Sequence, residues 1–239
     1  MQPLQWLASL VYTGFLFVST LVFASLVLAC GCLPLRRRHQ VVRAWAATEL
    51  WALKQLCGLD YLVEGREHIP ADGGHISLWK HSSTWETLAQ AVIFPPQAWV
   101  LKREILWIPL VGWATWLMRP IAIDRAAGHA AVNQVVQQGR QRLADGLWVL
   151  IFPEGTRVPA GQTRKYGLSG GLLAAAVGCQ VIPVAHDAGR YWSRRGLLKK
   201  RGTIRVVIGP PIAAAGRDAR AINEAARVWI DSTVASLGA

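Results

Sequence analysis

The sequence predicts an α/β domain, a sheet flanked by helices, that follows an N-terminal membrane-associated helical segment. After Gly58, short apolar runs alternate with longer stretches of helical periodicity, a pattern typical of α/β domains. Residues 1–35, by contrast, contain no charged side chain. We therefore place a boundary at Gly58, with membrane-anchoring or interfacial helices over residues 1–57 and a separate domain over residues 58–239.

The composition of the 239-residue chain narrows the class of partner. Hydrophobic residues make up 52% of the chain and charged residues only 17%, which excludes a disordered protein. Lys and Arg number 26 against 14 Asp and Glu, for a net charge of +12. A chain that is both apolar and basic suits a phospholipid surface. Nucleic acid would explain the charge but not the apolar excess, so we expect no nucleic-acid partner.

The first element is an apolar run from Leu4 to Leu35, longer than the ~20 residues that span a bilayer as a helix. Three arginines, Arg36–Arg38, follow at once, and the positive-inside rule keeps such a flank cytoplasmic. We expect an inner (cytoplasmic) membrane of bacterial type, with the following domain on its cytoplasmic face. Either a full span or a re-entrant path is compatible with residues 4–35.

Residues 40–57 are mostly apolar, but three charged side chains make a membrane span costly. Those side chains are Arg43, Glu49 and Lys54. One interpretation is a helix that lies in the membrane interface, with Trp45 and Trp51 at the headgroup level. An ordinary core helix of the following domain fits the pattern equally well.

The remainder of the chain contains seven short apolar runs and two long periodic stretches. The predicted strands are Tyr61–Val63, His75–Trp79, Ala98–Leu101, Ile121–Ile123, Trp148–Phe152, Gln180–Val184 and Ile204–Ile208. The predicted helices are Ala130–Leu143 and Ala219–Leu237. A basic stretch between Arg190 and Arg205 is either a solvated loop or a dock for anionic headgroups or an acidic donor.

The first candidate site is the segment Lys-His-Ser-Ser-Thr-Trp-Glu, residues 80–86, which follows a predicted strand. A histidine at a strand end can act as a general base, and a nearby carboxylate can orient it. Five residues of regular helix turn through ~500°, so the pairing requires His81 to lie in the loop before the helix. Ser83-x-x-Glu86 also matches a capping box, which gives Glu86 a structural interpretation beside the catalytic one.

The second candidate site, Phe-Pro-Glu-Gly-Thr-Arg over residues 152–157, lies at the carboxyl end of a predicted strand, where α/β folds bind ligands. Gly155 permits close backbone approach, and the planar guanidinium of Arg157 suits phosphate. Glu154 could hold that arginine or accept a hydrogen bond from a substrate hydroxyl. The alternative is a polar turn with a surface ion pair.

Together these motifs resemble the 1-acyl-glycerol-3-phosphate acyltransferase (PlsC-like) family of glycerolipid acyltransferases. That family has four blocks in order, and here they are the histidine block, a basic block from Lys102 to Arg125, the Glu-Gly-Thr-Arg block and Val181–Val184. The family usually has Asp at the position of Glu86. Glu is one methylene longer and still ionised at neutral pH, so it keeps the orienting role if the backbone adjusts. The likeness spans roughly residues 61–212 and implies the family's fold, a mixed sheet flanked by helices.

The resemblance implies an enzyme that acylates the free hydroxyl of 1-acyl-glycerol-3-phosphate to make phosphatidic acid. His81 would remove the hydroxyl proton, with Glu86 orienting it, and the oxygen would attack an acyl thioester directly. The acceptor phosphate would lie on the Glu-Gly-Thr-Arg block and on two weaker candidate cations. The substrate-binding residues so implied are Glu154, Gly155, Thr156, Arg157, Arg125 and Lys102.

The implied partners are a membrane lysophospholipid or phospholipid and an acyl donor, either acyl-CoA or an acidic acyl-carrier protein. No cofactor is implied, and no metal, since the ligand spacings of zinc and calcium do not occur. An acyltransferase for lyso-ornithine lipid or lysophosphatidylglycerol, or a non-catalytic lipid-binding protein, is the alternative. A serine hydrolase is disfavoured: residues 167–171 match the Gly-x-Ser-x-Gly spacing, but no predicted strand leads into them, as a nucleophile elbow requires.

Overall fold

The computed structural model describes residues 2–238, and this part of the chain contains eight α-helices and eight strands. In chain order they are α1 (Gln2–Ala29), α2 (Leu35–Cys57), β1 (Leu59–Glu64), β2 (Ile76–Trp79), α3 (Trp85–Ile93), β3 (Gln97–Lys102), α4 (Val111–Leu117), β4 (Ile121–Ile123), α5 (His129–Ala144), β5 (Trp148–Ile151), α6 (Ser169–Val177), β6 (Gln180–His186), α7 (Ala188–Tyr191), β7 (Gly202–Ile208), β8 (Ile212–Ala213) and α8 (Ala219–Gly238).

The strands form one mixed sheet in the order β1-β7-β6-β2-β5-β3-β4, which confirms the predicted fold class. All seven predicted strands are present, with ends within two residues of the prediction, and only the short β8 was not predicted. Strands β6, β2, β5, β3 and β4 are parallel, whereas β7 pairs antiparallel with β6. The carboxyl ends of the five parallel strands therefore meet at one edge of the sheet, hereafter the carboxyl edge.

Each face of the sheet is covered by helices, and successive residues of β2 show how. Leu78 belongs to the apolar core shared with α5, α6 and α8, while Trp79 belongs to the core shared with α2 and α3. Both side chains are fully buried. A sheet buried on both faces explains why its strands appear in the sequence as continuous apolar runs.

Helix α2 packs as a core helix of the α/β part, and it also leaves large apolar side chains exposed. Leu50 and Leu53 are buried in the same core as Trp79, whereas Trp51 is 62% exposed. Glu49 is buried and accepts a hydrogen bond from Ser19 of α1. The helix ends at Gly58, whose φ of 64° is the left-handed C-cap conformation.

Helix α1 lies along the protein rather than apart from it. Its buried positions run from Ser9 to Val27, while large apolar side chains on its other face, such as Leu10 and Phe17, are exposed. Among the described residues, α1 is the one helix long and apolar enough to cross a membrane by length and composition. One face of α1 is thus occupied by protein, and the opposite apolar face is open.

The start of α1 is attached to the basic stretch that follows α7. Lys199 is 1% exposed, so it is not part of a solvated loop. Its ammonium donates to Ser9 O at 3.3 Å and to the Thr13 hydroxyl, and lies 4.8 Å from the Trp192 ring. Gln5 Nε2 donates to Lys199 O at 2.6 Å. These contacts fix the N-terminal end of α1 to the α/β part of the molecule.

Candidate active site

His81 lies in the loop between β2 and α3, as its spacing from Glu86 requires, and the second motif holds its backbone. The His81 N–H donates to Glu154 Oε2 at 2.7 Å, and the Val158 N–H donates to His81 O at 2.8 Å. Because β2 and β5 are parallel neighbours, the loops after them meet at the carboxyl edge. The structure thus joins the two sequence motifs into one site.

The His81 ring is fixed on two sides. Nδ1 lies 2.9 Å from Glu86 Oε1, and the ring stacks on Phe152 with 4.0 Å between the ring centroids. Since a carboxylate accepts hydrogen bonds, the neutral imidazole carries its proton on Nδ1 and has a lone pair on Nε2. Nε2 forms no hydrogen bond with any described residue, so it is available to accept a proton.

One oxygen of Glu86 contacts both His81 and the backbone before α3, the two sets of contacts that its spacing predicts. Oε1 accepts from His81 Nδ1 and also from the backbone N–H groups of Ser82 and Ser83, at 2.9 and 2.8 Å. The capping box is incomplete, because the Ser83 hydroxyl accepts from the Trp85 N–H instead. Burial is the largest single influence on the pKa of Glu86 and raises it, but the hydrogen bond from His81, the neighbouring His186 and His81 rings and the Ser83 N–H together outweigh burial, so the pKa is lowered. The group is therefore an ionised, fully buried carboxylate.

Glu154 was expected to hold Arg157 or to contact substrate, but in the structure it contacts Lys80 and the His81 backbone instead. It is 3% exposed, and its two oxygens are occupied by Lys80 Nζ at 2.5 Å and the His81 N–H. Burial raises the pKa of Glu154, while the hydrogen bond from Lys80 opposes that rise. Glu154 points inward, toward the end of β2, because an ammonium is buried there. Its contact with the candidate site is the hydrogen bond that holds the His81 backbone.

Arg157 is the cation of the second motif that is free to bind an anion. Its guanidinium forms no hydrogen bond and no ion pair with the described residues, and its Nε is buried. Gly155 has a φ of 68°, and a Cβ there would meet nothing within 4 Å. The glycine is thus required by its backbone angle, and the space beside it is open. Thr156 is half-buried next to it.

The two weaker candidates lie at the same edge but are already engaged. Arg125 Nη1 donates to Gly155 O at 2.8 Å, which places this exposed arginine against the second motif. Lys102 ends β3 and forms an ion pair of 2.9 Å with Glu104, with half of its side chain exposed. Of the two, Arg125 is the one with a direct contact to the candidate site.

Two buried residues of the site were missed from the sequence. Lys80 pairs with Glu154, as described above, and His186 at the end of β6 donates from Nε2 to Lys80 O at 2.9 Å. Each partner is more than 70 residues away in the chain. The signal that would have identified them is a polar residue at the carboxyl end of an apolar strand: Lys80 directly follows β2, and His186 is the last residue of the neighbouring strand β6.

A histidine held by a buried carboxylate at the carboxyl edge of an α/β sheet is an arrangement typical of enzymes that use general-base chemistry. A family model described as acyltransferase matches residues 60–187, which is more than half of the chain and contains His81, Glu86 and Arg157. The chain belongs to the acyltransferase family.

Individual relatives agree with the family model. A 1-acyl-sn-glycerol-3-phosphate acyltransferase of Pseudomonas aeruginosa is 41% identical over 242 residues, which cover 99% of this chain and 94% of the relative. An enzyme of the same name from Salmonella typhimurium is 30% identical, with 71% of each chain covered. The crystal structure of the 1-acyl-sn-glycerophosphate (LPA) acyltransferase PlsC from Thermotoga maritima superposes with a TM-score of 0.82. It covers 100% of this chain and 98% of its own at 20% identity, so it shows a shared fold.

Proposed function

We propose that this protein transfers a fatty acyl group from an acyl thioester to the free hydroxyl of 1-acyl-sn-glycerol-3-phosphate, which yields phosphatidic acid. The observation that carries the proposal is the His81–Glu86 pair, with Nδ1 held at 2.9 Å and Nε2 unengaged. The names of the relatives from Pseudomonas and Salmonella support this choice of acceptor.

In the proposed reaction, His81 Nε2 accepts the proton of the acceptor hydroxyl while that oxygen attacks the thioester carbonyl. Glu86 holds the ring in the required tautomer and stabilises the imidazolium that forms. The C–S bond then breaks, the thiolate leaves, and the imidazolium returns the proton to the sulfur. The overall change is an ester formed and a thioester cleaved. It needs no acyl-enzyme, metal or cofactor.

Arg157 is proposed to bind the phosphate of the acceptor. A guanidinium that has no protein partner, beside open space at Gly155, is a suitable site for a doubly charged headgroup. Arg125, which contacts Gly155 O, is placed to assist. Lys102 is a weaker candidate, because it is already paired with Glu104.

We further propose that the open apolar face of α1 holds the enzyme on the bacterial inner membrane, with the active site on the cytoplasmic side. The buried face of α1 runs along the protein, so a helix lying in the plane of one leaflet fits better than a helix that crosses it. Exposed Trp113 and Trp116 lie on α4, which packs against α1. Tryptophan is typical of the interfacial layer of a membrane.

The test is a panel of acceptors assayed with acyl-CoA and with acyl-carrier protein as donors, in parallel for the parent enzyme and His81→Ala. We expect transfer to 1-acyl-sn-glycerol-3-phosphate, and a loss of about 10²–10⁴-fold in the variant. Transfer only to lysophosphatidylglycerol or lyso-ornithine lipid would correct the acceptor. No transfer by a folded parent would favour a lipid-binding protein. The thioester that gives the higher kcat/KM is the preferred acyl donor.

A further inference from the structure

The two oxygens of Glu86 are used very unequally. Oε1 accepts three hydrogen bonds, whereas Oε2 is buried and accepts none from the described residues. Buried polar atoms in native proteins nearly always have a partner. The ionisable group that faces Oε2 is His186, whose Nε2 lies 3.9 Å away.

His186 is neutral and its tautomer is defined by its two neighbours. The ring is 1% exposed, and burial lowers the pKa of His186 although the carboxylate of Glu86 opposes this. The Ala188 N–H donates to Nδ1 at 3.3 Å, so the ring proton resides on Nε2. From there it is donated to the carbonyl oxygen of Lys80 at 2.9 Å.

That carbonyl belongs to the peptide group that leads into His81. His186 donates a hydrogen bond to the C=O of this peptide group, and the N–H of the same peptide group, which belongs to His81, donates to Glu154 Oε2. The Lys80 N–H, one residue earlier, donates to Val184 O at 3.0 Å. The peptide plane before His81 is therefore held from β6 on one side and from the loop after β5 on the other. Because a peptide group is planar, holding both of its polar atoms sets the direction in which the next side chain leaves the backbone.

We propose that His186 is a positioning residue for the general base: it fixes the Lys80–His81 peptide so that the His81 ring meets Glu86. This role rests on the proposed function. A misplacement of a reacting group by about 1 Å can cost as much as 10²-fold in rate. Since Arg157 is not held by His186, substrate binding should be little affected.

The experiment compares His186→Leu, which removes the donor, with His186→Gln, whose side-chain amide can reach Lys80 O. We expect kcat of the leucine variant to fall about 10- to 100-fold with both KM values close to those of the parent, and the glutamine variant to recover most of that loss. His75→Leu is the matched control. His75 is 8% exposed at the amino end of β2, where it accepts a hydrogen bond from Gln180 N, so its loss should lower thermal stability but not kcat.

Other outcomes would overturn the role. An unchanged kcat in a folded His186→Leu enzyme would do so. A variant whose only change is a higher acceptor KM would do so as well. Failure of His186→Gln to rescue a leucine variant of normal thermal stability would also count against it. Should the leucine variant not fold, His186→Asn, too short to reach Lys80 O, replaces it in the comparison with glutamine. If the parent enzyme transfers no acyl group, the proposed function is wrong. If the parent is active and its His186 variants are unimpaired, only the role of His186 is wrong.

Discussion

One carboxylate oxygen of Glu86 accepts hydrogen bonds both from the backbone before α3 and from His81, and a substitution can separate the two interactions. Glu86→Gln keeps an oxygen for the Ser82 and Ser83 N–H groups but removes the charge that orients and stabilises His81. We expect kcat to fall at least about 100-fold while the thermal midpoint stays near that of the parent. Steady-state kinetics and a melting curve measure both. An active but less stable variant would leave Glu86 with a capping role only.

The buried Lys80–Glu154 pair should behave as a unit. Glu154→Gln alone leaves an ammonium that is 2% exposed without a counter-charge, and breaking a buried pair from one side costs about 3–5 kcal/mol. Adding Lys80→Met removes that charge, so the double variant should be more stable than the single one. Thermal unfolding in detergent compares them. Equal destabilisation of the single and double variants would argue against a coupled pair.

Arg157 lacks a protein partner, so its removal should affect binding more than folding. A hydrogen bond to a charged group contributes about 1.5–3 kcal/mol, and we expect Arg157→Ala to raise acceptor KM tenfold or more with little change in thioester KM. Arg66→Ala is the control, because Arg66 is exposed and follows β1, which points away from the carboxyl edge. A selective rise in thioester KM would instead place Arg157 at the donor.

Elements were easier to predict than the contacts between them. The strands were found because burial on both faces leaves continuous apolar runs, as in Trp148–Ile151. β8 was missed because two residues after Gly-Pro-Pro carry no periodicity. The pairing of His81 with Glu86 is local and could be predicted from spacing. The partners of Lys80 depend on which strands are neighbours, which spacing along the chain does not reveal.

Helix α1 offers a test of its open apolar face. Leu10 is 56% exposed there, and Val228 of α8 is 52% exposed elsewhere. A helix that lies in the membrane plane is held by the apolar area it buries, and a charge on that face opposes burial, so Leu10→Glu should weaken membrane association, whereas Val228→Glu should not. Flotation with liposomes measures the bound fraction. Because apolar burial is not screened by salt, the parent should stay bound at high ionic strength. Equal flotation of Leu10→Glu and parent would exclude this face as the anchor.

On the scale of the whole molecule, the start of α1 should lie on the same side of the membrane as the active site. Gln5 Nε2 donates to Cys57 O at 2.9 Å and to Lys199 O at 2.6 Å, and these bonds attach the first turn of α1 to the α/β domain. Gln2 lies less than one turn from Gln5, so it cannot cross the membrane while those contacts hold.

A labelling experiment decides this arrangement. After replacement of Cys30, Cys32 and Cys179, which are at least partly exposed, a membrane-impermeant maleimide is applied to Gln2→Cys and, as a reference on α8, to Ser236→Cys. Both should react in inside-out vesicles, and neither should react in cells whose outer membrane alone is permeable. Reaction of Gln2→Cys from the periplasmic side, with Ser236→Cys protected, would mean that α1 spans the bilayer. The contacts of Gln5 with the α/β domain would then have to break in the membrane, and the in-plane arrangement of α1 would be wrong.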